Sequence, residues 1–492
     1  MTIRPTTQTT SLSKLSQIVA GKLSGIGEVS GISHDSRTIQ PGDLYVALPG
    51  SNHHGADFLD QALANGAVAV ASDAKGISKA QSYDIATIEL QNPRQSMAAL
   101  AAEIYGHPEA QLKITGVTGT NGKTTTTHML RSIFLDAGQH VGVIGTLGTY
   151  IDNEFLPGAR TTPESTDLYA LLAVMVERGI THVFMEVSSH ALELHRVDGI
   201  KFSVAIFTNL TQDHLDFHGS MENYFAAKAR LFTPVFAENA VICVADSWGQ
   251  QLASQVEIPS ITIGETGDWS LLSTLQSDSG TTQLDVLQPD KSRVKIAVNM
   301  LGEFNALNAA FALVASDLLG NPIDKSLISL RNVRAIPGRL EEVKIAGLGT
   351  VIVDYAHTPD AVTTALNAIR AAGPKKVITV IGCGGDRDSA KRPLMGKIAA
   401  QLSDVVIVTD DNPRSEVPAD IRSAVLTGAS QGEAEVIEVG DRREAIARAL
   451  KLANAGDVVA ILGKGHETGQ EINGEVLPFD DRAVAIQESS RA

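Results

Sequence analysis

Ten consecutive residues constrain this chain more than any other stretch: Gly116-Val117-Thr118-Gly119-Thr120-Asn121-Gly122-Lys123-Thr124-Thr125. An apolar run over 112–117 precedes the glycines, and a helix-compatible run over 124–137 follows them. Strand, glycine turn and helix N-terminus make a phosphate cradle, in which backbone N–H groups and the helix dipole face an anion. Lys123 reaches the terminal phosphates of a nucleotide, and Thr124 has the hydroxyl that such loops offer to Mg²⁺. The pattern therefore predicts a nucleoside triphosphate held by Gly119, Thr120, Asn121, Gly122, Lys123, Thr124 and Thr125. The commoner spacing would put glycine at 117, where this chain has valine. Glycines at 116, 119 and 122 argue against an ordinary GTPase or motor ATPase and point to a variant loop.

At 492 residues the chain is too long for one core, and about three domains are expected. The first block, 1–110, mixes short β-like runs with helical stretches and carries no obvious catalytic set. The second, 111–337, alternates strands (112–117, 141–145, 182–187, 204–207, 240–244) with helices (165–178, 222–232, 305–319), as a doubly wound parallel sheet does. Ile336-Pro337-Gly338-Arg339 reads as a hinge. The third, 338–492, repeats the pattern with strands over 351–353, 377–381, 405–408 and 458–462. The fold class is thus α/β: a central phosphate-loop domain with a doubly wound parallel sheet, flanked by a small N-terminal α/β domain and a C-terminal Rossmann-like one. In the third block, polar runs follow each strand: Asp354-Tyr355-Ala356-His357, Gly382-Cys383-Gly384-Gly385-Asp386-Arg387, Asp410-Asp411-Asn412-Pro413-Arg414 and Gly463-Lys464-Gly465-His466-Glu467. Ligands bind outside the carboxyl ends of parallel strands, so these four runs converge on one cleft.

The net charge of −16 weighs against nucleic acid as a partner. The two cysteines, Cys243 and Cys383, suggest neither a disulfide framework nor a zinc site, which fits a reduced cytoplasm. No apolar leader opens the sequence and no run is long enough to span a membrane.

Glu186 ends an apolar strand, where a carboxylate either holds Mg²⁺ or is satisfied by local N–H groups. Asp213, His214, Asp216 and His218 follow the next strand and form either a metal or phosphate site or a solvated loop. Lys228 lies in an otherwise apolar helix, and on pattern alone it reads as a lysine laying its stem over the surface. Arg387 and Arg414 fall in the third-block cleft, suited either to clamping carboxylates or to inter-domain salt bridges. Gly382-x-Gly384-Gly385 does not fit a dinucleotide fingerprint, because the last place is Arg387.

Together these residues resemble the Mur ligases, which build the peptide of bacterial cell-wall precursors by ATP-driven amide formation. The resemblance rests on residues 119–125, Met185-Glu186-Val187-Ser188-Ser189-His190, Asp213-His214-Leu215-Asp216, Ala226-Ala227-Lys228, Gly302-Glu303-Phe304-Asn305-Ala306-Leu307-Asn308 and Asp354-Tyr355-Ala356-His357-Thr358-Pro359, in the family's order. It implies a cytoplasmic bacterial enzyme, a monomer acting on small molecules. The implied catalytic set is Lys123, Glu186, His214 and Lys228. Beyond the loop, Asn305, Asn308, Arg339 and Asp354 are implied contacts to ATP. Asp35-Ser36-Arg37 with the Asn52-His53 turn resembles a uridine-nucleotide pocket, and Thr161, Thr162, Ser188 and Arg196 match contacts to a muramoyl-dipeptide, UDP-MurNAc-L-Ala-D-Glu.

The run Asp411-Asn412-Pro413-Arg414, with Arg387, Gly463 and Glu467, resembles the meso-diaminopimelate recognition of one branch. The resemblance also reverses the reading of Lys228: in the family this lysine is carbamylated to N6-carboxylysine, and with Thr124, Glu186 and His214 it helps hold Mg²⁺. The rival readings are the same ligation with L-lysine, ornithine or another diamino acid, a folylpolyglutamate-synthetase-like ligase, and a non-catalytic phosphate-loop switch. The guanine-reading Asn-Lys-x-Asp of such switches is absent from the sequence.

Overall fold

The computed structural model describes residues 4–490 except 51, 159, 277–279, 334 and 346–348. Three large sheets follow one another along the chain. The first has the spatial order Lys22–Ser24, Ala86–Glu89, Ala69–Ser72, Asp43–Ala47, Gly31–Ser33, and is parallel except at Lys22–Ser24. The second contains eleven strands. Its parallel centre runs Val141–Gly145, His182–Glu186, Lys113–Thr118, Phe202–Phe207, Ala237–Cys243, Ser260–Gly264. The third runs Glu341–Val343, Thr350–Asp354, Val458–Leu462, Val377–Ile381, Val405–Val408, Glu435–Glu438, and only its first strand is antiparallel.

The α/β expectation holds, and the apolar runs expected in the second and third blocks sit within a residue or two of the observed strands, except that the strand expected at 240–244 starts three residues earlier, at Ala237. Strands buried on both faces read as continuous apolar runs, and Val377–Ile381 and Val458–Leu462 are buried at every position. The sequence reading missed strands added at both edges of the central sheet, an antiparallel hairpin at one edge and at the other an antiparallel meander whose first strand joins the sheet in parallel. One is the hairpin Gly148–Ile151 and Glu154–Leu156; the other is the meander Trp269–Gln276, Thr282–Leu287, Arg293–Val298. Three of the eight residues of Trp269–Gln276 are exposed and its polar residues blur the alternation.

The central strand Lys113–Thr118 lies between His182–Glu186 and Phe202–Phe207. The chain leaves it to one side and later returns to the other, so its carboxyl end is a topological switch point, where α/β sheets bind ligands. One apolar cluster runs without a break from Leu12 and Leu100 of the first sheet's layer to Leu168, Phe207 and Ile242 of the second. A second fills the opposite face of the central sheet beneath helix Glu303–Leu318. Two more cover the two faces of the third sheet.

Candidate active site

The glycine loop closes exactly where strand Lys113–Thr118 meets helix Lys123–Asp136. Gly119 has φ +149°, and a Cβ there would stand 1.9 Å from Thr208 Oγ1. Gly122 caps the helix at φ +89°, where a Cβ would meet Asn308 Oδ1 at 2.5 Å. Only glycine fits either position. Lys123 Nζ donates to the carbonyls of Gly119 and Thr120, each at 2.9 Å, which folds the side chain over the loop. Burial holds its ammonium below the usual lysine value, against the opposing charges of Glu186 and Asp213.

Glu186 is 1% exposed and ends its strand beside the loop. Its Oε1 accepts from Thr124 Oγ1 at 2.9 Å and from the Thr146 N–H at 2.8 Å; Oε2 accepts from Thr146 Oγ1 at 3.0 Å. Arg339, from beyond the hinge run, donates to Thr124 Oγ1 at 2.9 Å and lies 4.9 Å over the Tyr355 ring. Thr124 and Glu186 thus present two oxygen donors at the helix N-terminus, the chemistry Mg²⁺ prefers.

Lys228 is 1% exposed, which corrects the surface-lysine reading made from the pattern alone. Helix Met221–Ala229 buries Tyr224, Phe225, Ala227 and Lys228 on its inner face. Lys228 Nζ donates to the Gly119 carbonyl at 2.9 Å and sits 4.6 Å from the Tyr224 ring centre. Burial, with Lys123 nearby, drives its amine well below the ordinary lysine value. His214 has a left-handed backbone at φ +54° and touches Asp213 at 3.4 Å. Burial pushes its imidazole down to about 3, so the ring is neutral and has a lone pair to offer. Its ring stands 4.8 Å from His190 and 6.1 Å from Tyr224. The loop 213–218 is therefore packed rather than wholly solvated: Asp213 and His218 are both buried. Among the described residues no three His, Cys, Asp or Glu side chains form a ready-made metal cluster.

On one side of the loop a cavity of about 130 Å³ is lined by Asn121, Asn308, Arg339, Asp354 and Tyr355, among others. Asn308 faces it. Asn305 does not line it: its Nδ2 donates to the Leu301 carbonyl at 2.7 Å and its Oδ1 lies 3.5 Å from Asn308 Nδ2. The Asp354 carboxylate accepts from the N–H groups of Leu340 and Ala356, at 2.7 and 2.8 Å, and burial raises it above the usual aspartate value. On the other side opens a cleft of about 480 Å³. It gathers Thr161, Thr162, Ser188, Arg196 and His214 from the central sheet with Arg387, Asp411, Asn412, Arg414, Gly463 and Glu467 from the third.

Local bonds shape these walls. Thr162 Oγ1 donates to the Glu186 carbonyl at 2.8 Å, and Thr161 Oγ1 lies 3.0 Å from Thr146 Oγ1. Asn412 Nδ2 donates to Glu467 Oε2 at 2.8 Å, while the fully buried Lys464 bonds both residues. A Cβ on Gly463 would stand 2.5 Å from Asp411 Oδ2. Pro413 is buried between them. Arg414 pairs with Glu471 at 3.2 Å and donates to the Gly385 carbonyl at 2.6 Å. Both partners lie in the third block, so the inter-domain salt-bridge alternative does not describe Arg414. Arg387 is exposed at the cleft rim and donates to the Asp386 carbonyl. In the first sheet's layer, Ser36 is buried and donates to Gln61 Oε1 at 2.7 Å, away from the loop.

Sequence reasoning missed Glu164, Lys391 and Thr146. Glu164 is 4% exposed and holds Arg160, Arg94 and Arg196 at 2.6, 2.9 and 2.9 Å. Its signal was faint: a carboxylate two residues after Thr162, with its three arginines scattered over a hundred positions.

Three family profiles match the chain. They are the Mur ligase family catalytic domain over residues 28–105, the Mur ligase middle domain over 117–316 and the Mur ligase glutamate ligase domain over 338–465. The UDP-N-acetylmuramoyl-L-alanyl-D-glutamate--2,6-diaminopimelate ligase of Streptomyces avermitilis is 44% identical over 475 residues, covering 94% of this chain and 93% of that one. The ligase of the same name from Syntrophomonas wolfei is 42% identical over 468 residues, covering 94% of each. A solved structure of a UDP-N-acetylmuramoyl-L-alanyl-D-glutamate--2,6-diaminopimelate ligase superimposes with TM-score 0.68 at 31% identity, covering 98% of this chain and 99% of that one.

Proposed function

The chain belongs to the Mur ligase family, and from that premise we infer that it is an ATP-dependent, ADP-forming ligase of peptidoglycan precursor synthesis. It joins meso-diaminopimelate to the D-glutamyl carboxylate of UDP-MurNAc-L-Ala-D-Glu. One observation carries the reading: Thr162, Ser188 and Arg196 face Arg387, Asn412 and Arg414 across a single cleft beside the glycine loop. We assign residues 1–110 to the uridine-nucleotide end of the substrate, 111–337 to ATP and 338–492 to the amino acid, and place the enzyme in the cytoplasm as a monomer. No helix among the described residues is long and apolar enough to cross a membrane.

In this reading the triphosphate lies on residues 119–125, with Asn308, Arg339 and Asp354 toward the nucleoside and Asn305 positioning Asn308. Thr124, Glu186, His214 and a carbamate on Lys228 would hold Mg²⁺; the oxygen donors and the neutral, buried amine fit that ion. The carbamate forms when the Lys228 nitrogen bonds CO₂ and loses a proton, turning an amine into a carboxylate. When bound, the metal spreads negative charge on the phosphoryl oxygens. Lys123 does the same from the loop. The γ-phosphorus bonds to an oxygen of the D-glutamyl carboxylate as its bond to ADP breaks, giving an acyl phosphate. Activation is needed because a carboxylate is a poor acyl donor. Arg196, with Thr162 and Ser188, orients the muramoyl-dipeptide. Arg387 and Arg414 take the carboxylates of the incoming amino acid, whose free amine attacks the acyl carbon; phosphate leaves and the amide remains. Closure of the cleft excludes water from the acyl phosphate.

The test is phosphate release with UDP-MurNAc-L-Ala-D-Glu, scanned across meso-diaminopimelate, L-lysine, ornithine and glutamate. Diaminopimelate should be preferred. A lysine preference would move the chain to the other branch, glutamate preference would favour a folate-type ligase, and release without any amino acid would favour a nucleotide switch.

A further inference from the structure

Lys391 is 8% exposed, yet its ammonium makes no hydrogen bond or ion pair among the described residues. It opens helix Lys391–Leu402, whose N-cap, Ala390, supplies no side-chain hydrogen bond. It lines the same cleft as Ser188, Arg196, Asp213 and Asn412. Four cations around it each already have a carboxylate partner within the protein: Arg196 has Glu164, Arg392 has Glu416, Arg414 has Glu471 and Lys464 has Glu467. Lys391 makes no such pair: the buried Asp213 carboxylate opposes its charge without hydrogen-bonding it, and Arg387, the cleft's other cation without an ion pair among the described residues, is exposed. A buried cation without an ion pair costs free energy unless a ligand supplies the anion, and the helix N-terminus adds positive potential at the same spot, offset in part by Asp388, whose carboxylate accepts from the Ala390 N–H at 2.9 Å.

Its placement narrows the anion. Asp213 and His357 both feel the Lys391 charge. Asp213 is also the carboxylate that acts on Lys123 of the glycine loop. The ammonium therefore stands on the third block's wall of the cleft, across from the loop. In the ligase reading, ATP has the loop and Lys123, and the amino acid's carboxylates have Arg387 and Arg414. The group left without a partner on that wall is the phosphoryl group once it has moved to the substrate.

We propose that Lys391 and the N-terminus of helix Lys391–Leu402 form the acceptor-side phosphate site, a catalytic position that holds the acyl phosphate and then the departing inorganic phosphate. This rests on the ligase reading. As the γ-phosphorus bonds to the carboxylate oxygen, the bond to ADP breaks and ADP keeps that electron pair. When the amine attacks, the N–C bond forms as the acyl C–O bond breaks; phosphate leaves with that electron pair and takes up the proton the nitrogen loses. Lys391 donates hydrogen bonds in both steps and gives up no proton.

The experiment pairs a binding measurement with turnover, on wild type, Lys391→Met, Lys391→Gln and Lys391→Arg, with folding checked by thermal melts. Inorganic phosphate is titrated calorimetrically in the presence of ADP. Loss of the lysine should weaken phosphate about tenfold or more, and arginine should restore most of it. Turnover should fall about 10²–10³-fold in Lys391→Met, with KM for all three substrates within about threefold. Unchanged phosphate affinity in both neutral variants overturns the proposal. So does a rise in KM for the amino acid alone at unchanged kcat. If wild type binds phosphate through Lys391 but forms no amide with any amino acid, the ligase reading falls and the anion site stands. If amide forms and the neutral variants keep both activity and phosphate affinity, the anion site falls and the ligase reading stands.

Discussion

The amine nitrogen of Lys228 lies 2.9 Å from the carbonyl oxygen of Gly119, the residue that turns the nucleotide loop out of its strand. This one bond ties a helix residue to the phosphate cradle at a place where water is excluded. Burial drives the amine well below its ordinary value, which favours the neutral, nucleophilic form of the nitrogen over the charged form of a surface lysine. That is the condition for capturing CO₂. Native mass spectrometry, or ¹³C NMR under labelled bicarbonate, should show a carbamate on Lys228. Lys228→Ala should lose at least about 10²-fold in kcat, with partial recovery on adding short carboxylic acids. The adduct releases CO₂ when the nitrogen is protonated, so activity in CO₂-depleted buffer should fall with falling pH and return with bicarbonate. Full activity of Lys228→Ala without rescue rules the role out.

Glu164 explains how Arg196 stays in place. Burial raises its carboxyl, but Arg196 and Arg94 outweigh that and hold it below the usual glutamate value. A depressed carboxyl stabilises the fold above its ordinary value and loses that contribution as pH falls through the folded one. Arg94 reaches it from helix Pro93–Ile104 of the first block, so one carboxylate links that block to the wall facing the dipeptide. Charged hydrogen bonds contribute about 1.5–3 kcal/mol. Glu164→Gln should therefore raise KM for the muramoyl-dipeptide about ten- to hundredfold while KM for ATP stays within about threefold. Equal rises in both constants, in steady-state assays, would point to general unfolding instead.

What the sequence made legible follows from locality. The strand, loop and helix of residues 112–137 are contiguous, and the observed elements, Lys113–Thr118 and Lys123–Asp136, differ from the expected bounds by one residue at each end. The four polar runs after the third-block strands needed only the rule that parallel strands end on one side, and residues from all of them line cavities beside the loop. Burial was not legible. Past Glu222 and Asn223 in its first turn, helix Met221–Ala229 is apolar on every side of Lys228, so periodicity gave Lys228 no inner or outer face, and pattern alone put it at the surface. Lys391 sits in Asp388-Ser389-Ala390-Lys391-Arg392, which reads as an ordinary polar turn. That it is buried without an ion pair is a property of the assembled cleft. Asn305 shows the converse: the residue belongs to the recognised run, yet it supports Asn308 and does not line the cavity.

The histidines predict an acid-sensitive fold. Burial pushes His128 down to about 3 and His182 to about 4, from an ordinary value of 6.5. Their rings pack 5.3 Å from Tyr150 and 4.6 Å from Phe134. In the unfolded chain both protonate near 6.5, whereas the folded chain keeps them neutral down to about 4. The unfolded state thus binds more protons across that window, and stability falls as pH drops through it. Melting temperature followed from pH 7 to 4 should decline in wild type and decline less steeply in the double variant His128→Gln, His182→Gln. Parallel curves for the two proteins would show that these rings are not the source.

The third block hangs on a second buried link. Arg442 and Asp481 are 0% exposed and paired twice, Nε to Oδ1 and Nη2 to Oδ2, each at 2.7 Å. Arg442 Nη2 also donates to the carbonyl of Leu462 at 3.0 Å, the last residue of strand Val458–Leu462. The pair therefore fastens the C-terminal helix Asp481–Ser489 to the root of the loop bearing Gly463 and Glu467. Removing one partner strands an uncompensated buried charge, a loss of about 3–5 kcal/mol. Asp481→Ala should lower the unfolding free energy read from urea titration by that amount, with a lower midpoint at unchanged m. It should also raise KM for the amino acid, because the Glu467 loop loses its anchor, while KM for ATP changes little. Arg442→Met with Asp481→Leu removes both charges and should be milder than Asp481→Ala alone, since no ion is left unpaired. A double variant as unstable as the single one would mean that the pair's geometry, rather than the stranded charge, holds the helix in place.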